Sequence, residues 1–160
     1  LVGQAAGAGD PAAVRRWARR TAEMGLMILA ALSLVYLLLR YPIVRAFSLE
    51  PDLVPAGVTM IWLMTAFHFF DGLAILVYGV LKGLGDTRWP LAWTLAGQWL
   101  LGIPLAWLLG LHTPLGLTGA WLALILEMAL IAGIFALRSR HMLADPARWP
   151  LKLKGEWVNR

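Results

Sequence analysis

Apolar residues fall into four long stretches, separated by short polar or glycine-rich segments. A helix that crosses a bilayer needs about 20 predominantly apolar residues. The first stretch runs from about Glu23 to Leu39, with no charge from Met24 to Leu39. The second runs from about Leu53 to Leu81, interrupted by one acid, Asp71. Between Trp89 and Leu126 there is no Asp, Glu, Lys or Arg, a run nearly twice the length of one crossing. Gly110, Pro114 and Gly116 near its middle break it into a hairpin. The third helix is then about Pro90–Leu109 and the fourth about Leu115–Leu137. After Arg138 the chain turns polar, and 141–160 reads as a tail with no further span. The pattern predicts an all-α integral membrane bundle of four transmembrane helices within residues 1–140.

Composition agrees. Apolar residues make up 60% of the chain and charged residues only 14%, against about 45–50% and about 25% in soluble domains. A soluble fold would need a charged coat that this sequence lacks. The net charge of +5 would suit a nucleic-acid partner, but the basic residues flank apolar runs and coat no globular face, so no nucleic acid is expected. Arg15, Arg16, Arg19 and Arg20 precede the first helix; Lys82 and Arg88 lie between the second and third; Arg138, Arg140, Arg148, Lys152, Lys154 and Arg160 follow the fourth. The opposite side holds only Arg40 and Arg45, beside Glu50 and Asp52. The positive-inside bias therefore makes the side carrying both chain ends, C-terminus included, cytoplasmic. Trp17 and Trp89 fit one interfacial belt and Trp107 and Trp121 the other, whereas Trp99 falls mid-helix and should need a partner for its indole N–H. There is no cysteine, so no disulfide framework and no Cys-based metal site. The chain begins at Leu1 without the basic region of a signal peptide, and is expected to be the C-terminal piece of a longer protein.

Asp71 is the sharpest chemical signal, deep in the second helix. A charge near mid-bilayer costs on the order of 3 kcal/mol by insertion scales, so the residue must face protein or water. It can also stay neutral by holding a proton. His68 at i−3 and Tyr78 at i+7 share its face, which points to a proton or cation site; the alternative is an interhelical hydrogen bond. Glu127, at mid-depth in the fourth helix among Ala120, Ala123, Leu124 and Ile131, divides evenly between an ion pathway and a packing hydrogen bond. Thr94 and Gln98, at i and i+4 with Gly102 continuing the face, either line a cavity or bond between helices. Thr65, Gly72 and Gly79 form a packing stripe. Gly7-Ala8-Gly9-Asp10 and Gly83-Leu84-Gly85-Asp86 read as tight turns in which Gly ends a helix and Asp caps the next. Asp71-Gly72 with Gly83 and Asp86 resembles the metal motif of phospholipid-head-group transferases only distantly. The Ala-Arg pair of that motif is absent, with Ile75 and Leu76 in its place, and His68 and Asp71 lack a third metal ligand. No enzyme, metal site or cofactor is expected.

Three segments carry a family resemblance. Leu1-Val2-Gly3-Gln4-Ala5-Ala6-Gly7-Ala8-Gly9-Asp10, then Phe69-Phe70-Asp71-Gly72 through Gly79-Val80-Leu81-Lys82-Gly83-Leu84-Gly85-Asp86-Thr87-Arg88, then Gly116-Leu117-Thr118-Gly119-Ala120-Trp121 follow one another as motifs do in the MATE family, the multidrug and toxic compound extrusion transporters. The chain resembles that family over nearly all of residues 1–140, with Lys82 in place of the usual Arg and Leu84 in place of a small residue. The resemblance implies a twelve-helix, two-lobe transporter of which this chain is the end of helix eight plus helices nine to twelve. Asp71 then matches the coupling acid of helix ten. It implies antiport coupled to H⁺ or Na⁺, drug-like amphipathic and often cationic substrates, and residence in lipid, as in a bacterial inner membrane. An N-terminal lobe of the same protein would be the partner. Two alternatives stay open: a lipid or lipid-linked oligosaccharide flippase of related fold, which would be expected to bury several basic residues, and a non-transporting membrane scaffold subunit.

Overall fold

The computed structural model describes residues 1–47 and 50–150; the distal part of the expected tail, with Lys152, Lys154 and Arg160, lies outside the described residues. All regular structure among the described residues is helical. A short α1 (Val2–Gly7) leads into α2 (Pro11–Phe47) and α3 (Leu53–Gly83). Then α4 (Arg88–Ala96), a π-helical segment (Gly97–Gly102) and α5 (Ile103–Leu111) form one rod, and α6 (Gly116–Ala144) returns. A 3₁₀ turn, Pro146–Arg148, follows. These make four helices long and apolar enough to cross a membrane.

α3 packs on both α2 and α6, and α6 in turn carries the α4–α5 rod on another side, with α1 laid across the end where α2 begins and α3 ends. The first helix is longer than its apolar stretch. It starts at Pro11, suited to a first helical position, and continues through Arg40 and past Pro42 to Phe47. Pro42 cannot donate to the helical ladder; Arg40 Nη1 donates to the carbonyl of Leu37, close to that gap. At the other end of the sequence, α6 runs on to Ala144, and Trp149 folds back so that its indole Nε1 donates to the Met142 carbonyl at 2.8 Å. The stretch read as the start of a tail is thus helix and a docked turn.

The two glycine–aspartate turns share one geometry. Gly9 (φ 70°) and Gly85 (φ 87°) are left-handed. The Asp10 amide donates to Ala5 and the Asp86 amide to Leu81, closing each preceding helix in a Schellman motif. Their side chains then diverge. Asp10 Oδ1 caps α2 by accepting from the Ala13 amide at 2.9 Å. Asp86 does not cap α4; it pairs with Arg138. Glycines also let α2 and α3 approach closely: a Cβ at Gly72 would run into Leu29 and one at Gly25 into Leu76, whereas a Cβ at Gly79 would meet nothing. The expected packing stripe therefore holds at Thr65 and Gly72 and lapses at Gly79. Thr59, Thr65, Thr94 and Thr113 each return their hydroxyl proton to the carbonyl four residues earlier, which satisfies it without water. Large apolar side chains face outward along all four helices, including Trp99, which is 67% exposed and finds no indole partner among the described residues. Such a surface suits lipid.

Candidate functional site

Asp71 lies near the middle of α3, partly buried, between two crevices. One, of about 270 Å³, runs between α3, α4 and α6 and is lined by Asp71, Tyr78, Thr94, Met128, Ile131 and Phe135, among others. The other, of about 240 Å³, runs between α2 and α3 and is lined by Ser33, Tyr36, His68 and Asp71 with leucines. Among the described residues no hydrogen bond or ion pair reaches the Asp71 carboxylate. It is an ionisable group facing two crevices with no bonded partner among the described residues, which leaves its oxygens open to a small cation or a proton.

The helical face read from sequence divides across this acid. His68 turns to the α2 side, where its ring stacks on Tyr36 with centroids 6.5 Å apart. Tyr78 turns to the α6 side against the Phe135 ring, centroids 6.3 Å apart. The structure brings Asp71, Tyr78 and Thr94 to one crevice and Asp71 and His68 to the other. Gln98 lines neither. The π-helical segment begins at Gly97, between Thr94 and Gln98, and its wider turn breaks the i, i+4 register that would align them. Ser33 and Tyr36 were not singled out from sequence. Their signal is faint: two hydroxyls at i and i+3 inside a charge-free run, which face Asp71 only once α2 and α3 are paired.

Glu127 stands apart from both crevices. It is fully buried on α6, and neither Oε1 nor Oε2 has a hydrogen-bond partner among the described residues. Among the described residues the packing hydrogen bond considered from sequence is not present. At the α2-start end of the bundle, Asp86 is 6% exposed and accepts from Arg138 Nε at 3.0 Å. The same guanidinium lies over the Trp89 ring, 5.0 Å from its centroid. This ties the α3–α4 turn to α6. No group of three or more His, Cys, Asp or Glu among the described residues is placed to hold a metal ion.

A family model described as MatE matches residues 1–108. Among curated proteins, the chain is 34% identical over 105 residues to "Probable multidrug resistance protein NorM" of Rhodopseudomonas palustris, covering 63% of this chain and 22% of that protein. It is 38% identical over 102 residues to the protein of the same name in Bradyrhizobium diazoefficiens, covering 61% and 22%. With that of Xanthomonas campestris pv. campestris it is 35% identical over 142 residues, covering 88% of this chain and 31% of the relative. The chain thus spans between a fifth and a third of the length of these relatives. No solved structure matches it significantly.

Proposed function

This chain belongs to the MatE family, and on that premise we propose that it forms the second-lobe part of an antiporter that exports drug-like, often cationic compounds against an inward flow of H⁺ or Na⁺. The observation that carries the reading is Asp71: an acid in a membrane-spanning helix, without a partner among the described residues, opening on two crevices. An ionisable residue at that depth is expensive and is retained where an ion or proton passes. Ion binding there shifts the balance between outward and inward states only by its difference in affinity for the two. Tyr78 and Thr94 share the larger crevice and supply hydroxyls to an ion or substrate. The names of the relatives, multidrug resistance proteins, support the substrate class. The test is transport by the full-length parent reconstituted in liposomes. A fluorescent organic cation should move when an H⁺ or Na⁺ gradient is imposed and stop when it is collapsed. Movement of a fluorescent lipid instead, with none of the cation, would replace antiport by a flippase.

The same reading includes an orientation, with the end bearing Lys82, Arg88 and Arg138 in the cytoplasm, supported by the bias of basic residues. These 160 residues contain no cysteine, so with any cysteine elsewhere in the parent replaced, single-cysteine labelling is clean. Asp86 is a poor reporter because it is buried and paired; Lys82 and Arg88 are exposed. Lys82→Cys and Arg88→Cys in the full-length parent should resist a membrane-impermeant maleimide in intact cells and react after lysis. Labelling of either in intact cells would invert the orientation.

A further inference from the structure

The seat of Glu127 is built from the π-helical segment. That segment begins and ends in glycine, Gly97 and Gly102, and the carboxyl group lies against both. A Cβ at Gly102 would overlap Glu127 Oε2, and one at Gly97 would stand 3.5 Å from Oε1. The carboxyl group fits against Gly102 only because that position lacks a side chain; at Gly97 a Cβ would meet Oε1 at ordinary contact distance and would run into Ile131 instead. Glu127 is fully buried, receives no hydrogen bond from the described residues and lines neither Asp71 crevice. A carboxylate there would be an unpaired charge in a dry interior, which proteins avoid by neutralising the group.

Among the described residues the surrounding charges do not supply a counter-ion. α4 after Arg88, the π-helical segment and α5 contain no Asp, Glu, Lys or Arg, and His112 lies beyond the end of α5. α3 carries His68, Asp71, Tyr78 and Lys82. Of these, Asp71 and Tyr78 face α6, across Met128 and Ile131, and Asp71 has the wrong sign to compensate. α6 itself carries its next titratable groups, Arg138, Arg140 and His141, about three to four turns on, and α2 meets α6 only slightly. No second acid or histidine joins Glu127 to make a metal-ion site among the described residues. A proton is the cation this seat can hold.

We propose that Glu127 is a second proton-binding site, separate from Asp71, whose occupancy is coupled to the π-helical segment. In the conformation described here the carboxyl group carries the proton and nests between Gly97 and Gly102. Loss of that proton to water leaves a carboxylate that must be reached by water or a cation, so the π-helical segment has to withdraw. Re-protonation from water lets it close again; only the O–H bond forms and breaks. π-helical turns are energetically poor and concentrate at functional positions. Here the segment's two terminal glycines are the acid's contacts. The proposal rests on the antiport reading only for what the proton accomplishes; the binding itself is measurable without transport.

The test is infrared spectroscopy of the purified full-length parent, with no gradient and no substrate, followed over pH. Wild type should show a protonated-carboxyl carbonyl band at neutral pH that is lost in Glu127→Gln and retained in Asp71→Asn. Gly102→Ala, which pushes on the carboxyl group, should shift or remove the same band, while Gly79→Ala, where a Cβ meets nothing, should leave it unchanged. Identical wild-type and Glu127→Gln spectra would overturn the proposal, as would a band that ignores Gly102→Ala. If Glu127→Gln fails to fold, the glycine pair decides. Loss of efflux in Asp71→Asn with the Glu127 band intact would uphold both readings; an intact band in a protein that transports no cation under any gradient would sink the antiport reading alone.

Discussion

Asp71→Asn in the full-length parent should reduce gradient-driven efflux to the level of empty liposomes while leaving the amount of protein in the membrane unchanged. Asparagine is nearly isosteric, and no hydrogen bond of the Asp71 carboxylate among the described residues is there to be lost, so the packing of α3 between α2 and α6 should survive. What disappears is the ability to take up a proton or hold a cation. A step that depends on ion binding to bias two states has nothing to bias it once the differential affinity is gone, because a ligand bound equally by both states shifts nothing. Had Asp71 been a structural hydrogen-bonding residue, asparagine would serve and transport would persist. Efflux from proteoliposomes, normalised to reconstituted protein, makes the measurement, and wild-type rates in the variant would remove Asp71 from the mechanism. Glu127→Gln should cost less, because glutamine imitates the protonated acid that the Gly97–Gly102 seat already accepts. Its mark should be a flattened pH profile more than a lost rate.

Four helices were legible because hydropathy reports what lipid demands. The charge-free run from Trp89 to Leu126 can only be two crossings, and Gly116, at φ 53°, sits where the hairpin turns. Helix ends were less legible because hydropathy sees the embedded part alone. Nothing between Pro11 and Met24 breaks a helix, so α2 extends through Arg15, Arg16, Arg19 and Arg20 on local preference and on contacts with α1 and α3. At the site, Asp71 stood out because a charge in an apolar run is conspicuous. Ser33 and Tyr36 did not, since their proximity to Asp71 depends on the antiparallel register of α2 and α3, set in part by leucines seated over Gly25 and Gly72. The π-helical segment left no mark in the pattern either. It displaces Gln98 from the crevice that holds Thr94, and its terminal Gly102, where a Cβ would overlap the Glu127 carboxyl group, looks like ordinary small-residue packing until the acid is seen against it. Asp86 shows the converse: its motif matches that of Asp10, yet its partner lies on α6, far away in sequence.

That partner gives the second large effect, on stability. Arg138→Ala should destabilise the full-length parent more than Asp86→Asn does. Arg138 is half-exposed, so without Asp86 its guanidinium turns to water and keeps the Trp89 ring. Asp86 has no such exit: at 6% exposure it would be left as a buried carboxylate with no donor. Removing one member of a buried pair costs about 3–5 kcal/mol; the exposure of Arg138 and screening by solvent lower this to roughly 1–3 kcal/mol here. Asp86→Asn keeps a carbonyl oxygen for Arg138 Nε and should cost about 1 kcal/mol, the worth of one hydrogen bond. The double variant should be more stable than Arg138→Ala alone, because the second change removes the stranded charge. A double-mutant cycle isolates this coupling, with thermal unfolding of the detergent-purified protein as readout. If Arg138→Ala and Asp86→Asn cost the same and add without coupling, the ion pair is incidental, and the α3–α4 turn is held to α6 by the tilted contact of the Trp89 and Phe135 rings and by the buried Leu81 and Leu84.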